Sequence, residues 1–290
     1  MIDFKRSKEI FLNIYPSEDL ANKVEKYIKE NKKKVNFFLF ICNKKHWEVT
    51  LKQEPMMKLS LVYAFLPTIY DKYKAKNISD DIFYDTMTDI KIWIDDHKAR
   101  TGEDGLFELN WIMHHMNMSI FKIGRLQYQK CIWYFKPAKT RDGVKLDFGD
   151  KILNMHIPRG AKLDYDECVK SVDMAQEFFK EYFPEFPDNK YMCFSWLLYP
   201  GNKNFMPADS NILKFQSMFN IVVEKEDPQP TYLWLYGQKF KGSDLMKNKK
   251  ETGNYGFIDK LPQKTSLQKS TVEYIKKGGK FGEGIGVIIK

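Results

Sequence analysis

Ser195 and His156 are the residues that could form a hydrolytic pair. Each falls in an apolar run, residues 191–199 and 151–157, that reads as a strand. A serine beside an imidazole is a nucleophile with its base. Yet the context is Phe194-Ser-Trp196, without the Gly-x-Ser-x-Gly elbow that exposes such a serine. No acidic third member can be placed, so a strand serine facing a core or crevice is the competing reading. Arg125 and Gln127 stand two apart in an alternating stretch and would share one face of a strand. They would line a wet substrate pocket or belong to a buried polar network. His114 and His115 look like a metal pair, but adjacent helix positions point apart and cannot readily share an ion. They read as surface or interdomain residues, and no metal site is expected.

The elements that must position these groups change character along the chain. None of the 16 glycines precedes Gly102, and three of the 12 prolines do. A stretch so poor in helix stops can be mostly helical. Ser17 can cap a helix carrying Leu20, Val24 and Ile28, and Leu59 to Tyr73 mark another around Pro67. Phe83, Met87, Ile90 and Ile94 follow a cap at Ser79 or Asp80, and Trp111, Met113 and Met116 a further helix. Val35 to Cys42 reads as a strand or a buried helix.

From about residue 119 the pattern turns strand-like. Residues 121–128 alternate as one half-buried strand, and Arg141-Asp-Gly-Val reads as a turn. Asp164 with Glu167 has the form of a capping box before a helix burying Cys168, Val172, Ala175 and Phe179. Asp209 or Ser210 would cap a short helix, Thr231 to Tyr236 reads as an aromatic strand, Ser266 to Lys277 as a helix and Gly284 to Ile289 as a last strand. The expected fold class is α+β: a mostly helical region, residues 1–118, then a mixed α/β domain, residues 119–290.

Composition narrows the function classes. The chain has 290 residues, 43% hydrophobic and 15% aromatic, enough for real cores. No apolar stretch approaches the roughly 20 residues of a membrane helix, and no secretion signal is visible. Cys42, Cys131, Cys168 and Cys193 are scattered without ligand spacing, which fits a reducing cytoplasm. The net charge of +9 comes mostly from lysine, with five arginines among 47 basic residues. The dense runs Lys32 to Lys34 and Lys247 to Lys250 read as solvated loops, so no nucleic-acid partner is expected.

Several phrases carry a resemblance. Phe121-Lys-Ile-Gly-Arg-Leu-Gln127, His156-Ile-Pro-Arg-Gly160, Cys168-Val-Lys-Ser171, Cys193-Phe-Ser-Trp-Leu-Leu198 and Ser210-Asn-Ile212 resemble a bacterial family of acyltransferase-domain proteins, with a helical N-terminal domain and a GNAT-like C-terminal domain. The resemblance implies an acyl-CoA-dependent N-acyltransferase, with acetyl-CoA or another acyl-CoA as co-substrate and a small-molecule or peptide amine as acceptor. It places the pantetheine arm along 151–157, ending at Ile157, with Arg159 and Gly160 at the pyrophosphate and Asn211 as a secondary cofactor contact. His156 becomes the candidate base for the amine proton. The usual glycine-rich phosphate pattern is absent after this strand, and Asp164, Asp166 and Glu167 would repel phosphate or pair with Arg159. That departure keeps a second reading open, a non-catalytic binding module on the same fold.

Overall fold

The structure is a computed structural model that describes residues 2–237 and 256–290. The chain forms two compact units. The first holds the residues up to Lys130 together with Ile157–Ala161 and Glu181–Phe183; the second holds Cys131–His156, Lys162–Lys180 and the chain from Pro184 on.

The first unit is built on α1 (Phe4–Ile14), α2 (Glu18–Glu30), α3 (Lys32–Asn43), α4 (Pro55–Ala75), α5 (Asp80–Thr101) and α6 (Leu109–Met116). α4 is apolar almost all round, as a central helix must be, and packs on α1, α2, α3 and α6. Pro67 lies inside it, as expected. Ser17 and Ser79 cap α2 and α5 by accepting from the N–H groups of Leu20 and Ile82. Gly102, at φ +77°, ends α5 in the left-handed conformation that favours glycine. Val35 to Cys42 is helical in α3, and Lys32 to Lys34 are its exposed first turn, not a loop.

This unit also carries a β-hairpin, β1 (Ile120–Ile123) and the start of β2 (Leu126–Ile132). Ile123 pairs with Leu126, so the expected single strand over 121–128 is folded back on itself. Gly124, at φ +62°, takes the first central position of the two-residue turn, where a tight hairpin needs a positive φ. Tyr73, Phe83, Phe121 and Phe183 form one aromatic cluster beneath it, with ring centroids 4.8 to 5.7 Å apart.

In the second unit β3 (Ala138–Lys139) and β4 (Lys145–Leu146) flank the expected turn at Arg141. Strands β5 (Lys151–His156), β6 (Lys190–Ser195), β7 (Asn220–Glu226) and β8 (Gly282–Ile289) follow the spatial order β5-β6-β8-β7, with β5 and β6 parallel and the other pairs antiparallel. α7 (Tyr165–Tyr182) buries Cys168, Val172, Ala175 and Phe179, and Asp164 accepts from the N–H of Glu167 at its start. The remaining helices are α8 (Asn211–Ser217), α9 (Gln229–Tyr236), α10 (Gly256–Asp259) and α11 (Ser266–Lys276). Thr231 to Tyr236, expected as a strand, is therefore helical: Pro228 and Pro230 pre-set its first turn and Gly237, at φ +69°, stops it. The strand of this region is β7, upstream of it. The run Lys247 to Lys250 lies outside the described residues. Among the described residues no helix is long and apolar enough to cross a membrane, and no His/Cys/Asp/Glu group could hold a metal ion.

Candidate functional site

Two places gather the chemistry-bearing residues, one in each unit. In the second unit it is the C-terminal end of the parallel pair. The β5–β6 ladder holds Leu153 against Tyr191 and Asn154 against Met192, and pairing ends there. β5 nevertheless runs on through Met155 and His156, and β6 through Cys193, Phe194 and Ser195. On its other side β6 stays paired with β8 as far as Ser195 opposite Gly284. So β6 stays paired with β8 beyond the point where its pairing with β5 ends. At the point of divergence Asn154 is buried, and its Oδ1 has no hydrogen-bond partner. An acceptor shut away from water costs free energy unless a ligand donor meets it.

His156, half-buried, is the last residue of β5. Ser195 ends β6 and caps the 3₁₀ turn Trp196–Leu198, its Oγ accepting from the N–H of Leu197 at 3.2 Å. Asn211 is the first residue of α8, where Ser210 does the capping by accepting from Leu213. α7 opens with Asp164 already bonded to a backbone N–H and with Asp166 and Glu167 in its first turn. That helix end is satisfied from within and carries the wrong charge for phosphate. Burial pushes the Cys42 and Cys193 thiols up to about 12, so neither is a thiolate nucleophile near neutral pH.

The first unit holds a polar network that no motif announces. Asp89, on α5, is buried, and its Oδ2 accepts from Trp111 Nε1 at 2.6 Å, Gln127 Nε2 at 2.9 Å and His115 Nε2 at 3.1 Å. Trp111 and His115 are four apart on α6 and so share a face. His115 Nδ1 also lies 3.3 Å from the Trp111 carbonyl oxygen. Burial works to raise the Asp89 pKa, but the hydrogen bonds and charge of His115, with those from Gln127 and Trp111, hold it below the usual carboxylate range. His115 is thus fully buried rather than a surface residue, because an acidic partner waits for it on α5. His114, half-buried, lies within bonding distance of Ser119 and Gln129, and burial lowers its pKa.

Beside Asp89 is a cavity of about 130 Å³, lined among others by Thr88, Asp89, Lys122, Arg125 and Arg159. Arg125 belongs to the hairpin turn, not to a strand, and donates to the carbonyl oxygens of Pro158 at 3.3 Å and Ala161 at 2.9 Å. It therefore shares the neighbourhood of Gln127 without sharing a strand face. Arg159 pairs with Asp96 at 3.3 Å, its guanidinium 5.3 Å from the centre of the Trp93 ring. Gly160 adopts φ +95° with open space where a Cβ would stand. Ile157, Arg159 and Gly160 fall with the first unit, His156 with the second. Asp89 escaped notice in the sequence; the signal was a carboxylate three residues from Thr86 and one from Ile90, on the face an amphipathic helix should bury.

A helical region followed by a domain with an opened parallel strand pair defines a two-part N-acyltransferase-like architecture. Residues 14–118 match the N-acyltransferase N-terminal domain and residues 120–288 the GNAT-like C-terminal domain, and the chain belongs to this GNAT-like family. Similar solved structures include an acyltransferase in complex with decanoyl-CoA (21% identity, TM-score 0.64, covering 80% of this chain and 65% of that one). An acyltransferase with decanoyl-CoA and teicoplanin (20%, TM-score 0.63) and one with CoA and 10C-teicoplanin (19%, TM-score 0.63) each cover 80% of this chain and 66% of the other. The chain thus spans slightly less than two thirds of these proteins' length. At this identity the likeness is one of fold. No curated protein sequence is detectably similar.

Proposed function

We propose that the chain is an acyl-CoA-dependent N-acyltransferase acting on the amine of a small molecule in the cytoplasm. Family membership supports the reading, as do the acyl-CoA and CoA complexes of the similar acyltransferases. The observation that carries it is the opening of β5 from β6 with the Asn154 oxygen buried and unpartnered beside it. A strand end without β5–β6 pairing and an unpartnered acceptor fit an extended ligand that carries its own amides, as the pantetheine arm does. The start of α7 does not fit the phosphates equally well, so contacts of Ile157, Arg159, Gly160 and Asn211 to CoA belong to the proposal and not to the fold. The division of labour between residues 1–118 and 119–290 is part of the same reading.

When bound, the thioester supplies an electrophilic carbonyl. The amine forms the new C–N bond, the C–S bond breaks, and sulfur leaves as thiolate and takes up a proton. His156, at the open end of β5, is the residue we assign to receive the amine proton. Ser195 keeps its Oγ as a helix-cap acceptor and has its hydroxyl hydrogen left to donate.

Titration with free CoA, acetyl-CoA, octanoyl-CoA and decanoyl-CoA, followed by melting temperature and calorimetry, tests the reading. A ligand that binds only the native state must raise its melting point. Saturable binding together with amine-dependent thiol release supports acyl transfer. Binding without turnover across an amine panel would favour the non-catalytic module, and no binding would leave only the fold.

A further inference from the structure

The cavity beside Asp89 has features that the acyl-transfer reading leaves unused. Oδ2 of Asp89 takes all three hydrogen bonds of the buried network, while Oδ1 takes none and Asp89 lines the cavity. Across the space is Lys122, held in register because its backbone N–H donates to Thr86 Oγ1 on α5 at 3.0 Å. Among the described residues its ammonium makes no ion pair and no hydrogen bond, with Asp89 or any other side chain. Half-buried Lys122 and buried Asp89 therefore line one small space without pairing with each other among the described residues.

Opposed charges that line the same cavity but do not pair select by exclusion as well as attraction. A simple anion gains Lys122 but meets the carboxylate of Asp89. A simple cation gains Asp89 but meets Lys122, with Arg125 and Arg159 nearby. A molecule with an ammonium at one end and an acid group at the other satisfies both. The volume, about 130 Å³, is that of roughly four waters at ~30 Å³ each, which suits a small amino acid and not a nucleotide.

We propose that this cavity binds a small zwitterion of the amino-acid type, its ammonium on Asp89 Oδ1 and its carboxylate on the Lys122 ammonium. The site lies wholly within the first unit and shares Arg159 with the proposed CoA contacts, so its occupancy is read first in the absence of acyl-CoA.

The test is calorimetry on the full chain without acyl-CoA, using glycine, β-alanine, acetate and methylammonium as probes. One or both zwitterions should bind saturably, and acetate and methylammonium about tenfold or more weakly, the loss expected for one charge-assisted hydrogen bond. Lys122→Met, on a half-exposed strand position, should weaken the zwitterion by about the same factor with the melting curve little changed. Asp89→Asn should do likewise if it folds; the Lys122 variant decides the matter if it does not. No binding by either zwitterion, equal binding by acetate alone, or an affinity indifferent to Lys122→Met would overturn the proposal. Incorporation of the zwitterion into an acylated product, once acyl-CoA is added, would mark it as the acceptor. A changed rate without incorporation would mark it as an effector.

Discussion

His115 Nε2 lies 3.1 Å from Asp89 Oδ2, and both side chains are closed off from solvent. A buried pair of this kind is a weak source of net stability but costs much to break, because the survivor loses a partner that water cannot replace. His115→Gln and Asp89→Asn should each lower unfolding free energy by about 3 kcal/mol. The double variant should cost scarcely more than either single one, as groups in one network do. Equilibrium denaturation of the four proteins measures this, and additive losses would show that the two do not act together. The Asp89 carboxyl is held below its unfolded value, so its stabilising contribution is complete at neutral pH. It drains away only as pH falls below the ordinary carboxylate range.

His114, next in sequence, responds to acid sooner. Burial, with the charge of His115 beside it, lowers its pKa in the folded chain. A histidine with a depressed folded value contributes fully above its unfolded pKa of about 6.5, because the unfolded chain takes up the proton first. Stability should therefore begin to fall as pH drops through about 6.5 and level off below the folded value. Replacing it, as in His114→Asn, should flatten melting temperature against pH between about 7 and 5. An unchanged slope would move the effect to another group.

The open end of β6 depends on two glycines of β8. A Cβ on Gly284 would overlap the carbonyl oxygen of Leu198, and one on Gly286 would come within 2.7 Å of Phe219 and 2.9 Å of Leu198. Both therefore leave room for the turn that follows Ser195 to lie on β8. Gly284→Ala should cost about 2 kcal/mol, the scale of overpacking in a filled core, and should shift the strand end that Ser195 caps. A melting temperature equal to that of the parent chain would show that the turn moves freely.

What the sequence disclosed and hid follows from local signals. Helices with caps and one apolar face, such as α2 and α5, were legible because cap and period coincide. The hairpin at Gly124 hid inside an alternation that continues on both sides of the turn, so Arg125 was assigned a strand phase it does not have. β7 was missed because Val223 to Glu226 pair at the sheet margin with much surface exposed, leaving charges where a core pattern would stand. α9 carries strand-loving residues, and its helix is set by the prolines before it and the glycine after it. Asp89 needed a partner on α6 and another on β2, which only tertiary structure brings together.

His156 is where the proposed chemistry is most exposed to refutation. It ends β5 where the strand has already parted from β6, and its neighbour two residues back, Asn154, holds the unpartnered acceptor. If His156 takes the proton from the attacking amine, His156→Ala should lower kcat by about 10²- to 10⁴-fold, the usual worth of a positioned base. Binding of CoA should change little, since the imidazole is not asked to hold the thioester. Asn154→Ala should do the reverse, raising KM for the acyl donor more than it lowers kcat, because a contact to the arm is made in ground and transition states alike. Steady-state kinetics of the two variants separate these roles. If His156→Ala weakened CoA binding while leaving kcat intact, the base would have to be sought elsewhere and His156 reassigned to holding the donor.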